Sequence, residues 1–164
     1  MEGLNTPLVT VDWLYSNLNL PNLLVLDGSM KQVNSDSHEE SNIQITNALF
    51  FDIKNTFSNI NGEFPNTVPS VEQFTDDAQK LGINEDSVLI VYDDKGIYSS
   101  ARVWWLFKAF GFTNIAVLDG GLPQWIASNY KTETKKSRAV SKGNFEGKFN
   151  SKYFKFFKDI LEIQ

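Results

Sequence analysis

Cysteine is absent from this 164-residue chain. A disulfide framework and a thiolate metal site are therefore excluded. Histidine occurs once, as His38. No apolar run approaches the ~20 residues that span a bilayer. The opening residues, Met1-Glu2-Gly3-Leu4-Asn5, lack the basic start and apolar core of a secretory signal. Positive charge is in deficit: the net charge is −5 and no basic cluster rises above it, which argues against nucleic acid as a partner. The cytoplasm is the default compartment, and no membrane contact is expected. What is present is 41% hydrophobic and 13% aromatic residues, enough for one globular domain with a real core.

The most informative stretch is Ser87 to Phe110, SVLIVYDDKGIYSSARVWWLFKAF. Val88 to Tyr92 is apolar without alternation, which suits a strand buried on both faces of a parallel sheet. Asp93-Asp94-Lys95-Gly96 breaks the run. From Ser99 onward Val103, Trp104, Leu106, Phe107 and Phe110 recur at helical spacing, and Gly111 supplies a stop. The acidic loop thus lies at the carboxyl end of a central strand, where open α/β sheets place their ligands.

Similar patterns flank it. Thr10 caps a predicted helix over Val11 to Leu18, and Leu23 to Leu26 reads as a buried strand ending at Asp27-Gly28. Residues 30 to 43 are polar and aperiodic and read as a surface loop. There His38, beside Glu39 and Glu40, is a solvated residue rather than a metal ligand or a base. Ala48 to Phe51 is a short strand. Ser70, with Gln73 at capping-box spacing, opens a helix that turns Phe74 and Ala78 inward and ends at Gly82. Ile115 to Leu118 is a further strand, and Gly120-Gly121 leads into a short helix with Trp125 in the core. Alternating strands and helices predict an α/β fold, a mostly parallel sheet with helices on both faces.

VYDDKGIYSSARVWWLFKAFG, followed by NIAVLDGGLPQW from Asn114 to Trp125, resembles the N-terminal domain of two-domain rhodaneses, the thiosulfate and 3-mercaptopyruvate sulfurtransferases. Val25-Leu26-Asp27, the stretch Ala48 to Ile53, and Pro69-Ser70 with Phe74 fit the same family, over roughly residues 7 to 150. The resemblance implies a rhodanese-like fold with a central five-stranded sheet. It divides the chain into a rhodanese-like domain (1–130), a linker (131–150) and the start of a truncated second domain (151–164). That last segment places Phe154, Phe156, Phe157, Ile160 and Leu161 at helical spacing.

In the family's catalytic domain the residue after the central strand is the sulfur-carrying cysteine of a C-x-x-G loop. The matching residues here are Asp93 and Gly96, so this chain cannot form a persulfide and is expected to be inactive alone. The active-site-like loop comprises Asp93, Asp94, Lys95, Gly96, Ile97, Tyr98 and Ser99, with no catalytic residue among them. The backbone N–H groups that hold an anion in the catalytic version are expected to be met internally by the Asp93 carboxylate, favouring its ionised form.

Other acid-loop chemistries fail on residue type. Dehalogenase-type phosphatases need an acid at position 95, where Lys95 stands. Response-regulator receivers need further acids for Mg²⁺ that do not assemble here. A C-x5-R phosphatase needs cysteine and arginine where Asp93 and Ser99 stand. Arg102 is either an internal brace to Asp27 or Asp119, or an anion contact. Trp104 and Trp105 are neighbours that point about 100 degrees apart; one belongs to the core, the other to the core or to a second domain. By resemblance, mercaptopyruvate-type members supply an aspartate and a histidine from the first domain. The matching positions here are Lys54 and Asn66, and Gln44 stands where a histidine often precedes the I-P-G-A turn, here Ile45-Thr46-Asn47-Ala48.

Two readings follow. In one, the chain packs against the cysteine-bearing second rhodanese domain of the same parent protein. In the other, it is a freestanding module that binds a protein partner or a small anion through loop 93–99. Neither implies a metal or a cofactor.

Overall fold

Val88 to Tyr92 are all buried and form the middle strand of the sheet. The computed structural model describes residues 4–30, 42–155 and 157–161. In chain order these form β1 (Leu8–Val9), α1 (Val11–Asn17), β2 (Leu23–Asp27), β3 (Ile43–Ile45), β4 (Leu49–Phe50), α2 (Val71–Lys80), β5 (Val88–Tyr92), α3 (Ser100–Ala109), β6 (Ile115–Leu118), α4 (Gly121–Ala127), β7 (Thr132–Thr134), a 3-10 turn (Ser151–Tyr153) and α5 (Phe157–Leu161). The main sheet runs β1-β6-β5-β2-β4, and every pair in it is parallel. The expected α/β sheet of five strands is therefore present. His38 and residues 31–41 of the expected loop 30–43 lie outside the described residues, as does Phe156, and Ile43 opens β3.

The two-residue period of β5 divides the core. Leu89 and Val91 face α2 and α3, whereas Val88, Ile90 and Tyr92 face α1 and α4. The first face is built on phenylalanine. Phe74 stands among Phe57 (5.5 Å between ring centroids), Phe107 (5.1 Å), Phe110 (4.3 Å) and Phe145 (6.3 Å). On the second face the fully buried Trp125 donates its indole N–H to the Lys131 carbonyl. Both expected caps form. Thr10 accepts from the Trp13 amide and Ser70 from the Gln73 amide. The Gln73 side chain, instead of completing a box, reaches the carbonyls of Thr56 and Ser58.

Residues 131–150, expected as a linker, lie along the domain as a strap. β7 pairs antiparallel with β3, a two-stranded sheet absent from the sequence reading. Further on, Gly143 N–H bonds the Gln79 carbonyl, Phe145 N–H the Ile83 carbonyl, and Asn150 N–H the Ala109 carbonyl. Gly143 lies so close that a Cβ would stand 2.0 Å from the Ile83 oxygen, so only glycine fits. Near the end of the chain Phe154 packs on Trp105 (5.6 Å) and Phe149 (5.7 Å), and Phe157–Leu161 are helical as the spacing predicts.

Candidate functional site

Asp93 is the first residue beyond β5 and is fully buried. One carboxylate oxygen accepts from the Lys95 amide (2.9 Å). The other accepts from the amides of Tyr98 (2.7 Å), Ser99 (3.0 Å) and Ser100 (2.9 Å) and from the Ser100 hydroxyl (2.6 Å). Three of these amides belong to the entry of α3, whose first turn leaves N–H groups without helical partners. Burial alone would raise the Asp93 pKa. The Ser100 hydroxyl and the amides of Ser100, Tyr98 and Lys95 outweigh it, and hold the carboxyl below its ordinary value. The loop is closed from the other side by α4. Leu122 N–H donates to the Asp93 carbonyl (3.0 Å). Gly121, at φ +53°, approaches so closely that a Cβ would lie 2.5 Å from that carbonyl oxygen and 2.6 Å from that of Gly96.

The rest of the loop divides by role. Ser99 donates its hydroxyl to the Gly28 carbonyl (2.7 Å) and ties the loop to the end of β2. Asp94 N–H donates to the Ser29 hydroxyl (3.0 Å), and the Asp94 side chain meets Lys95 at 3.2 Å. Ile97 and Tyr98 are 49% and 46% exposed. The amides of the loop thus hold the Asp93 carboxylate, while Asp94 Oδ1 is buried without a hydrogen-bond partner among the described residues.

Arg102 pairs with neither Asp27 nor Asp119. Its guanidinium donates to the Asn66 carbonyl and lies 6.0 Å from the Trp105 ring, while its Nε is buried without a partner. Burial lowers its pKa. The buried Oδ1 of Asn66 is also partnerless. Lys54 is exposed, and its backbone amide is capped by Asp52 (3.1 Å). Gln44 spans Ala48 and Glu133. Trp104 and Trp105 are each half-buried, donating to the carbonyls of Ile115 and Tyr153.

Asp27 has a different partner. Its buried carboxylate takes Lys135 of the strap at 3.1 Å, together with the Ser29 amide and hydroxyl. The Tyr92 phenol lies beside it and accepts from the Ile45 amide (3.2 Å). Burial first, and the Asp27 charge second, push that phenol above its ordinary range. Sequence reasoning missed Lys135, because a lysine 108 positions away in a charged, Gly-containing segment carries no local signal. Among the described residues no group of three or more acidic or histidine side chains is placed to hold a metal ion.

Residues 10–128 match the rhodanese-like domain family. The chain belongs to that family. Among similar proteins, thiosulfate/3-mercaptopyruvate sulfurtransferase 1, mitochondrial, of Arabidopsis thaliana is 41% identical over 134 residues, covering 80% of this chain and 35% of the relative. The 3-mercaptopyruvate sulfurtransferase of Homo sapiens is 32% identical, covering 94% and 54%. The crystal structure of SseA from Escherichia coli, a 3-mercaptopyruvate sulfotransferase, superposes with a TM-score of 0.86 at 29% identity, covering 96% of this chain and 61% of that one. The chain thus spans between about a third and just over half of these two curated relatives.

Proposed function

We propose that this chain is a non-catalytic rhodanese-like domain of a thiosulfate sulfurtransferase-like protein, in which it helps wall the active site of a cysteine-bearing second domain. The observation that carries this reading is the Asp93 carboxylate seated among the amides of Lys95, Tyr98, Ser99 and Ser100. An anion already fills the cradle, and the chain has no thiol to accept sulfur. Exposed apolar side chains support a docking role. Phe50, Ile60, Phe64, Ile97 and Tyr98, each at least 46% exposed, lie on segments that leave the carboxyl ends of β4 and β5, and Ile160 and Leu161 are exposed on α5. The domain limits of 1–130, 131–150 and 151–164 belong to this proposal. So does the cytoplasmic placement, although the Arabidopsis relative is itself named as mitochondrial; no described helix is long and apolar enough to cross a membrane.

A second reading, a small-anion contact, is favoured by Arg102 beside the loop rather than by the loop. A desolvated guanidinium with no carboxylate partner is a costly arrangement that an anionic ligand relieves. The Arg102 guanidinium keeps one hydrogen bond among the described residues, to the Asn66 backbone carbonyl, and its Nε–H is left open. Thiosulfate titration followed by amide and guanidinium NMR tests both readings. We expect saturable shifts at Arg102 Nε–H, lost in Arg102→Gln, with the amides of Tyr98, Ser99 and Ser100 unmoved. Saturable movement of those three amides would overturn the filled cradle. Silence throughout would remove the anion contact and leave the scaffold.

A further inference from the structure

A cavity of about 300 Å³ lies between the sheet edge and the strap, and it shares no residue with loop 93–99. Unequal strand lengths create it. β2 pairs with β5 along all five of its residues but with β4 only at Leu26 and Asp27. Leu23 to Val25 therefore have no strand neighbour on that side among the described residues. The strap does not fill the gap. Its backbone is tied at Lys135, to the Asn42 carbonyl, and at Gly143, to the Gln79 carbonyl. Among the described residues there is no backbone hydrogen bond from 136 to 142. The lining is mainly apolar, with Leu23, Val25 and Leu49 on the sheet side and Val140 on the strap; Asn47 and Arg138 add polar groups.

Arg138 is the informative residue. Its guanidinium makes no hydrogen bond among the described residues, and its one ion pair, to Glu133, is long at 3.6 Å. Glu133 has nearer donors: Lys136 at 2.8 Å, the Asn47 amide at 2.9 Å and the Gln44 amide group at 3.0 Å. Lys136 foremost, then Asn47 and Gln44, hold the Glu133 carboxyl down at about 2. The fork of Arg138, which lines the cavity and whose side chain is 34% exposed, is thus left with donors that no described residue uses, and a guanidinium can take a carboxylate through two parallel bonds. The local charge agrees. From 131 to 142 the chain carries Lys131, Lys135, Lys136, Arg138 and Lys142 against Glu133 alone, in a protein of net charge −5.

We propose that this cavity binds a small monocarboxylate with a short apolar body, its head group on Arg138 and its hydrocarbon against Leu23, Val25, Leu49 and Val140. The volume is at the lower end for ligand sites, which suits a body of a few carbons. The span 136–142, held by side chains alone, is the wall that yields on entry.

Hexanoate, hexylamine and a short extended acidic peptide are the probes, read by amide NMR on the full chain. Hexanoate is expected to give saturable shifts at Val25, Leu49 and Val140. Arg138→Gln is expected to weaken it about tenfold, the equivalent of one lost charge-assisted pair. Val140→Trp, which fills the cavity, is expected to abolish binding without lowering the melting temperature. Hexylamine is expected to give no saturable shift. The proposal is overturned by absence of saturable hexanoate shifts, by equal affinity for hexanoate and hexylamine, or by unchanged affinity in Arg138→Gln. Binding of the peptide alone would equally overturn it, and would assign the gap beside β2 to strand addition.

Discussion

Replacing Asp93 with alanine is expected to lower stability by about 3–5 kcal/mol, the range for removing one partner of a buried charged network. In a chain of this size that is a fall of roughly 10 °C in melting temperature. The reason is the donors left behind. Four amides and the Ser100 hydroxyl converge on this carboxylate, and the Ser99 and Ser100 amides are buried with no other partner in the loop. Thermal unfolding in sulfate measures the second half of the claim. An anion that enters the vacated cradle binds only the folded state, so the variant is expected to recover stability in proportion to sulfate binding, beyond any rise in the parent. The pH dependence has a definite sign. The folded-state pKa of Asp93 is depressed, so its contribution is present above the unfolded carboxylate value of about 3.9 and is lost as pH falls through the folded value. The gap between parent and Asp93→Ala is therefore expected to be widest above about pH 5 and to narrow in acid.

Phe74→Ala is expected to cost about 3–5 kcal/mol as well, by cavity formation rather than electrostatics, and so without that pH dependence. Phe74 is fully buried and touches rings from three parts of the chain: Phe57 of the connection before α2, Phe107 and Phe110 of α3, and Phe145 of the strap. Losing it removes packing that holds Phe145. Limited proteolysis is therefore expected to cut the strap between 136 and 142 faster in this variant than in the parent. Denaturant unfolding gives the stability, and cleavage-site mapping gives the location.

The parallel sheet was legible because its signals are local. Val88 to Tyr92 is an unbroken apolar run, Thr10 and Ser70 cap their helices within three residues, and Gly82 and Gly111 end theirs at positive φ. The candidate loop was legible for the same reason, since a strand, an acidic turn and a helix start follow one another without interruption. What escaped is non-local. β3 and β7 are three residues each and almost 90 positions apart, and β7 sits in a segment whose composition resembles an unstructured linker. Beyond β7 the strap is held at scattered points, among them Lys135 on Asp27, the Gly143 and Asn150 amides and Phe145 in the phenylalanine core, which have no periodicity to detect. The brace expected of Arg102 fails, although two acids at strand ends look like natural partners; the anion contact is the alternative that stands. The chain satisfies Asp27 with Lys135 instead, and turns Arg102 toward Asn66.

The central claim is that loop 93–99 is an anion cradle of the rhodanese type with a carboxylate in the place of the sulfur. Incubating the parent and Asp93→Cys with thiosulfate, followed by intact mass measurement, tests it most directly. In the variant the thiolate would attack the outer sulfur of thiosulfate, forming one S–S bond and releasing sulfite, with the negative charge passing to the terminal sulfur. The account predicts a gain of one sulfur atom on Asp93→Cys, removed by cyanide as thiocyanate, and no change in the parent. A folded Asp93→Cys that takes up no sulfur, or a parent that turns thiosulfate over without any cysteine, would contradict it.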